Sequence, residues 1–214
     1  MMMAEDEAGK QEDKDAAAVD DAPPKRAASR KGRAGEPSSN GPDPLAAKLE
    51  RAESLLSEGS HADAADAFTA VATAQPDNLR AAVGLGAVLF AQGKYDAAEK
   101  ELRRAAKLAP DSVEVNYQLG NTLYKKGVYA AAATALRRAV ELDPGHGPAY
   151  LVLGEALNQM AESDAALEAL EEAVRLVPEN TKAYYAMGIA YDRKGNHDRA
   201  AEMYRLSREV AKTG

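Results

Sequence analysis

Four prolines, Pro76, Pro110, Pro144 and Pro178, each follow the last by 34 residues. A fixed period of this length marks a stack of supersecondary units, in which no unit buries its apolar face alone. Setting these prolines at position 32 starts repeats at Leu45, Leu79, Val113, Gly147 and Thr181. Each repeat holds two stretches, about 12–14 residues long, with apolar residues at helical spacing. Glycine separates them in four repeats (Gly59, Gly93, Gly127, Gly195), and Ala161 stands there in the fourth. Glycine ends a first helix because it takes the left-handed conformation without a Cβ penalty. Alanine at that place is expected to loosen the fourth turn. Asp96, Asp164 and Asp198 stand near the start of the second helix, where the helix dipole favours an acid. The proline then stops it.

Small residues recur in phase. Position 8 is Ala52, Gly86, Gly120, Gly154 and Gly188; position 20 is Ala64, Ala98, Ala132, Ala166 and Ala200. Larger ones recur between them, with Phe68, Leu102, Leu136, Leu170 and Tyr204 at position 24. The spacing predicts two close-packed helices per repeat, where a larger side chain at a small position overpacks the contact.

These features resemble the tetratricopeptide repeat, whose outline is W-x2-L-G-x2-Y, then A-x3-F, then P. The likeness is plainest in YQLGNTLYKKGVYAAAATALRRAVELDP (Tyr117 to Pro144) and YLVLGEALNQMAESDAALEALEEAVRLVP (Tyr150 to Pro178). It implies an all-α fold, a right-handed α-α superhelix of about ten antiparallel helices, with repeats at 45–78, 79–112, 113–146, 147–180 and 181–214. The first repeat departs by Lys48 and Arg51, and the last by Ser207, Arg208 and Lys212. Both read as ends whose outer faces meet water.

The resemblance also implies a function. In such arrays the first helices line a concave face, with positions 2, 5, 9, 12 and 13 pointing into it. Here those positions supply Arg80, Val83, Phe90, Tyr117, Asn121, Tyr124, Lys125, Leu151, Asn158, Lys182, Tyr185 and Arg193. Aromatic residues with a polar handle are frequent binding hot spots. Asn121 and Asn158 are expected to bond a peptide backbone beside them. Acids (Glu53, Glu114, Glu155, Asp192) balance the bases. The carboxylate clamp of tetratricopeptide co-chaperones is not matched. Of its five positions, best aligned with Tyr117, Asn121, Val152, Lys182 and Ala186, only Asn121 and Lys182 fit.

Chemistry is sparse elsewhere. The chain has no cysteine, which removes thiolate nucleophiles and cysteine-based metal sites. His61 and His197 share position 17, and His146 lies in a Gly-His-Gly loop, so no metal or other cofactor is expected. Gly84-Leu-Gly86 lacks a third glycine at dinucleotide spacing, and no phosphate loop or nucleophile elbow occurs. The net charge of −7 argues against nucleic acid as a partner. No apolar run is long enough to insert in a membrane.

Residues 1–44 contain no Leu, Ile, Phe, Tyr or Trp and read as a disordered tail. Its charges are segregated: eight acids and two lysines over residues 5–21, then five basic residues and no acid over 25–33. The start has no basic, apolar leader pattern, so a cytoplasmic location is expected. The expected role is a non-enzymatic scaffold that binds a peptide or helical segment of another protein. Self-association into oligomers, and chaperoning the assembly of a secretion or surface complex, are the alternatives.

Overall fold

A computed structural model describes residues 43–213; residues 1–42 of the expected tail lie outside them. Ten helices and no strand occur among the described residues. They run as five pairs: α1 (Pro44–Ser57) with α2 (His61–Ala74), α3 (Leu79–Ala91) with α4 (Tyr95–Leu108), α5 (Val113–Lys125) with α6 (Tyr129–Leu142), α7 (Gly147–Gln159) with α8 (Ser163–Leu176), and α9 (Thr181–Arg193) with α10 (His197–Thr213). Each helix packs on its partner and on the next helix in sequence. Odd-numbered helices also touch one another from repeat to repeat, and even-numbered ones do not. The odd helices therefore form the inner layer of the stack.

Local chemistry sets the helix limits. The start of every odd helix is capped by the side chain before it: Asp43, Asn78, Ser112, His146 and Asn180 each accept a backbone N–H, as short polar side chains do at this position. The end of every odd helix closes through a left-handed residue, at Gly59, Gly93, Gly127, Ala161 and Gly195. The loosening expected at Ala161 does not occur. Its φ is 60°, and Glu162 N–H reaches Leu157 O at 3.0 Å, as Lys94 N–H reaches Leu89 O at 2.9 Å. The neighbouring helices hold the alanine where its Cβ is disfavoured by about 1–2 kcal/mol.

Close packing explains the small positions. A Cβ on Gly120 would stand 2.5 Å from Leu136 Cγ, and one on Gly154 equally close to Leu170 Cγ. Repeat one solves the contact differently. Ala52 already carries a Cβ, and the Phe68 ring lies where a Cβ on Gly84 of repeat two would overlap it. Gly84 thus makes room for a side chain of the preceding repeat. The core is a chain of such contacts, with Phe68, Leu102, Leu136 and Leu170 all fully buried. At the far end, α10 runs through Lys212, the place where earlier repeats have the helix-stopping proline.

Candidate partner-binding groove

The inner face of α3, α5, α7 and α9 carries two adjoining cavities. One, about 160 Å³, is lined by Ala87, Phe90, Glu114, Tyr117, Gln118, Asn121 and Thr122. The other, about 360 Å³, shares Phe90, Tyr117 and Asn121 with it and adds Tyr124, Lys125, Leu151, Glu155 and Lys182, with Pro148 and Val152. Seven of the twelve residues singled out in the sequence therefore meet in one place.

Each aromatic side chain there is braced from one side. Phe90 lies 5.5 Å from Tyr95 and Tyr124 lies 5.9 Å from Tyr129, measured between ring centroids. Both pairs join position 12 to position 17 across the turn of a single repeat. Tyr117 lies 4.6 Å from the His146 ring. His146 Nδ1 accepts the Ala149 N–H at 3.1 Å, which leaves the ring proton on Nε2. The histidine of the Gly-His-Gly loop is thus a helix cap and a wall of the groove.

Electrostatics centre on Glu155. It is half-buried, and burial pushes its carboxyl above the ordinary carboxylate value, against the opposing pull of Lys125, Lys182 and a hydrogen bond from Tyr124. Burial, followed by the charge of Glu155, pushes the Tyr124 phenol up to about 12. The Lys125 ammonium stands 5.5 Å from the Tyr124 ring centroid, within cation–π range. Burial also raises the Tyr117 phenol. With both phenols protonated at neutral pH, the floor offers hydroxyl donors, one acid and two lysines beside apolar rings.

The other five residues are placed elsewhere. Arg80 makes a two-pronged pair with Glu53, at 2.7 and 3.1 Å. Val83 packs against the core of Ala82, Ala105 and Val115. Asn158 is buried and donates to Ala186 O at 2.8 Å. The peptide contact expected of it is thereby spent between repeats four and five. Arg193 is exposed. Tyr185 is 57% exposed and stands 5.5 Å from Tyr204, at a separate cavity on the last repeat. Position 5 alone did not show which tyrosine has a following repeat to cover it. Val152 and Gln118 were not anticipated, because neither position belongs to the inward set. Pro148 was not singled out either, although it stands at inward position 2, which was the available signal; Glu155, at inward position 9, is one of the groove acids expected from the sequence.

Two family models, both described as tetratricopeptide repeat, match the chain. One covers residues 55–120, 89–139 and 123–175, and the other residues 159–211. The chain is a tetratricopeptide repeat protein. A comparison with curated proteins gives no match. Among solved structures, the repeat domain is similar to a crystal structure of MamA at 29% identity and a TM-score of 0.70, over 76% of this chain and 95% of that one. It is similar also to residues 41 to the end of MamA from Desulfovibrio magneticus RS-1, at 25% identity and 0.73, over 79% and 96%. YrrB, described as a tetratricopeptide repeat protein with an unusual peptide-binding site, shares 24% identity and a TM-score of 0.69 over 76% and 84%. That last likeness concerns the tetratricopeptide fold alone. No helix among the described residues is long and apolar enough to cross a membrane.

Proposed function

We propose that the protein is a scaffold holding a peptide or helical segment of another protein in the central groove. One observation carries this reading: the two adjoining cavities share Phe90, Tyr117 and Asn121 as a common wall. Together they offer a continuous seat for two consecutive side chains of a ligand. The smaller suits one apolar anchor. The larger suits a side chain with a polar end near Lys125, Glu155 and Lys182. Asn121, half-buried between them, is the residue placed to bond a ligand backbone. The tetratricopeptide repeat family is generally non-catalytic, and the groove is read as a binding surface rather than an active site. A cytoplasmic location belongs to the same proposal.

Capture of partners from a native lysate, followed by titration of peptides tiled from the captured sequence, tests it. Tyr117→Ala or Tyr124→Ala should each weaken binding by about 1–2 kcal/mol, roughly 5- to 30-fold. Because Tyr117 also braces His146, circular dichroism must show unchanged helicity. Unchanged affinity in a fully helical Tyr117→Ala/Tyr124→Ala protein would sink the groove reading.

A further inference from the structure

Two glutamates stand at position 9 of their repeats, Glu53 in repeat one and Glu155 in repeat four. Position 2 of the following repeat is basic in both cases, Arg80 and Lys182. The two pairs share a register and differ in outcome. Arg80 closes on Glu53 with two prongs of its guanidinium, Nε at 3.1 Å and Nη2 at 2.7 Å. Lys182 acts on Glu155 through charge alone, without a hydrogen bond. A guanidinium is a planar fork matched to a carboxylate, whereas an ammonium is a compact, strongly hydrated charge. Lys182 is exposed, and a lysine so placed keeps its charge in water.

Glu155 therefore brings spare acceptor capacity to the larger cavity, which it lines. It takes a hydrogen bond from Tyr124, and an ionised carboxylate can accept about four. Burial works against its charge, and a cation bonded directly to it would offset that cost. Three aromatic rings, Phe90, Tyr117 and Tyr124, line the same cavity. Rings of this kind attract a guanidinium, which is weakly hydrated and stacks on them by its flat face. Lys125 and Lys182 would repel an isolated cation, but both are exposed. An acidic residue beside the cation would meet them, so that the two charges of the ligand match the half-buried acid and the exposed ammonium groups in turn.

We propose that the larger cavity takes an arginine side chain of the partner, paired with Glu155 against the Tyr117 and Tyr124 rings, with an acidic residue beside it in the partner facing Lys125 and Lys182. The proposal rests on the central-groove reading and specifies its ligand. The arginine makes across the interface the contact that Arg80 makes with Glu53 inside the chain.

Three blocked dipeptides, arginyl-glutamate, lysyl-glutamate and glutaminyl-glutamate, serve as probes of the full chain, read by NMR shifts of the isotope-labelled protein. Arginyl-glutamate should bind with a Kd on the order of millimolar and move the amide signals of Asn121, Tyr124 and Glu155. Lysyl-glutamate should bind about 3-fold more weakly or worse, and glutaminyl-glutamate about 10-fold more weakly. Glu155→Gln should bring all three probes within about twofold of one another. Lys182→Arg sets a guanidinium in the register of Arg80 and keeps the charge. By closing on Glu155 it should weaken arginyl-glutamate about 5-fold, so the test does not hang on one variant. Three results overturn the proposal: no binding of arginyl-glutamate up to about 50 mM, lysine or glutamine probes that bind as tightly as the arginine probe, or an arginine preference that survives both Glu155→Gln and Lys182→Arg. If peptides captured from lysate still bind and still depend on Tyr117 and Tyr124, such a result removes the arginine and leaves the groove; loss of that dependence removes the groove itself.

Discussion

Tyr117 and Tyr185 occupy the same position of repeats three and five, yet they live in different environments. Tyr117 is half-buried, braced by His146 and packed on the core cluster that includes Ala149, Val152 and Leu153 of the next repeat. Tyr185 is 57% exposed, with Tyr204 beside it. The same contrast holds two helix turns later. Asn158 is buried by repeat five, and its counterpart Asp192 is exposed, held by His197 at 3.2 Å and Tyr204 at 2.8 Å. Those two bonds, the His197 bond first, lower the Asp192 carboxyl. In a stacked array a side chain's role thus depends on whether a neighbour follows, as much as on the side chain itself.

The sharpest way to break this comparison is to overpack both regions equally. Gly120→Val drives a side chain into Leu136, which has no free space to enter, and should cost about 3 kcal/mol. Gly188→Val meets the half-buried Tyr204 ring, which can swing toward water, and should cost about 1 kcal/mol. Urea unfolding of the two variants measures the gap; equal losses would show that the last repeat is packed as rigidly as the middle ones. Next in size is binding. Against the 1–2 kcal/mol expected for Tyr117→Ala, Tyr185→Ala should change affinity for a central-groove peptide by less than about 0.5 kcal/mol. A comparable loss at both would extend the groove to the end of the array.

Ala161→Gly sharpens the comparison at the turns. Relief of the left-handed alanine, less the added chain entropy of glycine, should stabilise the protein by about 0.5–1 kcal/mol, read as a rise in Tm. No gain would mean that the alanine's strain is offset by its own contacts. The smallest effect is expected at Glu155. Its carboxyl is raised in the folded state by burial, so the folded protein binds the proton more tightly than the unfolded chain. Stability from this group therefore falls as pH rises from the ordinary carboxylate value through the raised one. Glu155→Gln should stabilise by about 0.5 kcal/mol at neutral pH. The difference should vanish at pH below the ordinary value, where both forms are neutral. A stability difference that grows on acidification would reverse the assigned cause.

Much of this architecture is legible along the chain. The proline period, the left-handed glycines and the alternation of small position 8 with large position 24 each express local backbone or steric needs, and local needs leave a mark in sequence. His146 was legible only in part. Its place before α7 matches Asn78, Ser112 and Asn180, but an imidazole cap is not a usual signature. Gly84 was explained by neither helix of its own repeat, since its partner Phe68 belongs to the preceding one. The site was legible as a set of inward positions, and the structure separated that set into groove, core and end. Arg80 turns to Glu53 and Asn158 to Ala186, because their nearest partners come from neighbouring repeats.

By itself, the sequence determined that this protein is a five-repeat helical stack with polar ends and an aromatic inner face. Those properties follow from periodicity, capping and side-chain volume within one repeat. Only the tertiary structure decided that Phe90, Tyr117 and Tyr124 share walls of one groove, that Glu155 lies half-buried among two lysines and a phenol, and that Tyr185 stands instead beside Tyr204 at a separate cavity. Burial and pairing between repeats depend on which residues of neighbouring repeats are brought face to face, and the stacking of one repeat on the next sets that.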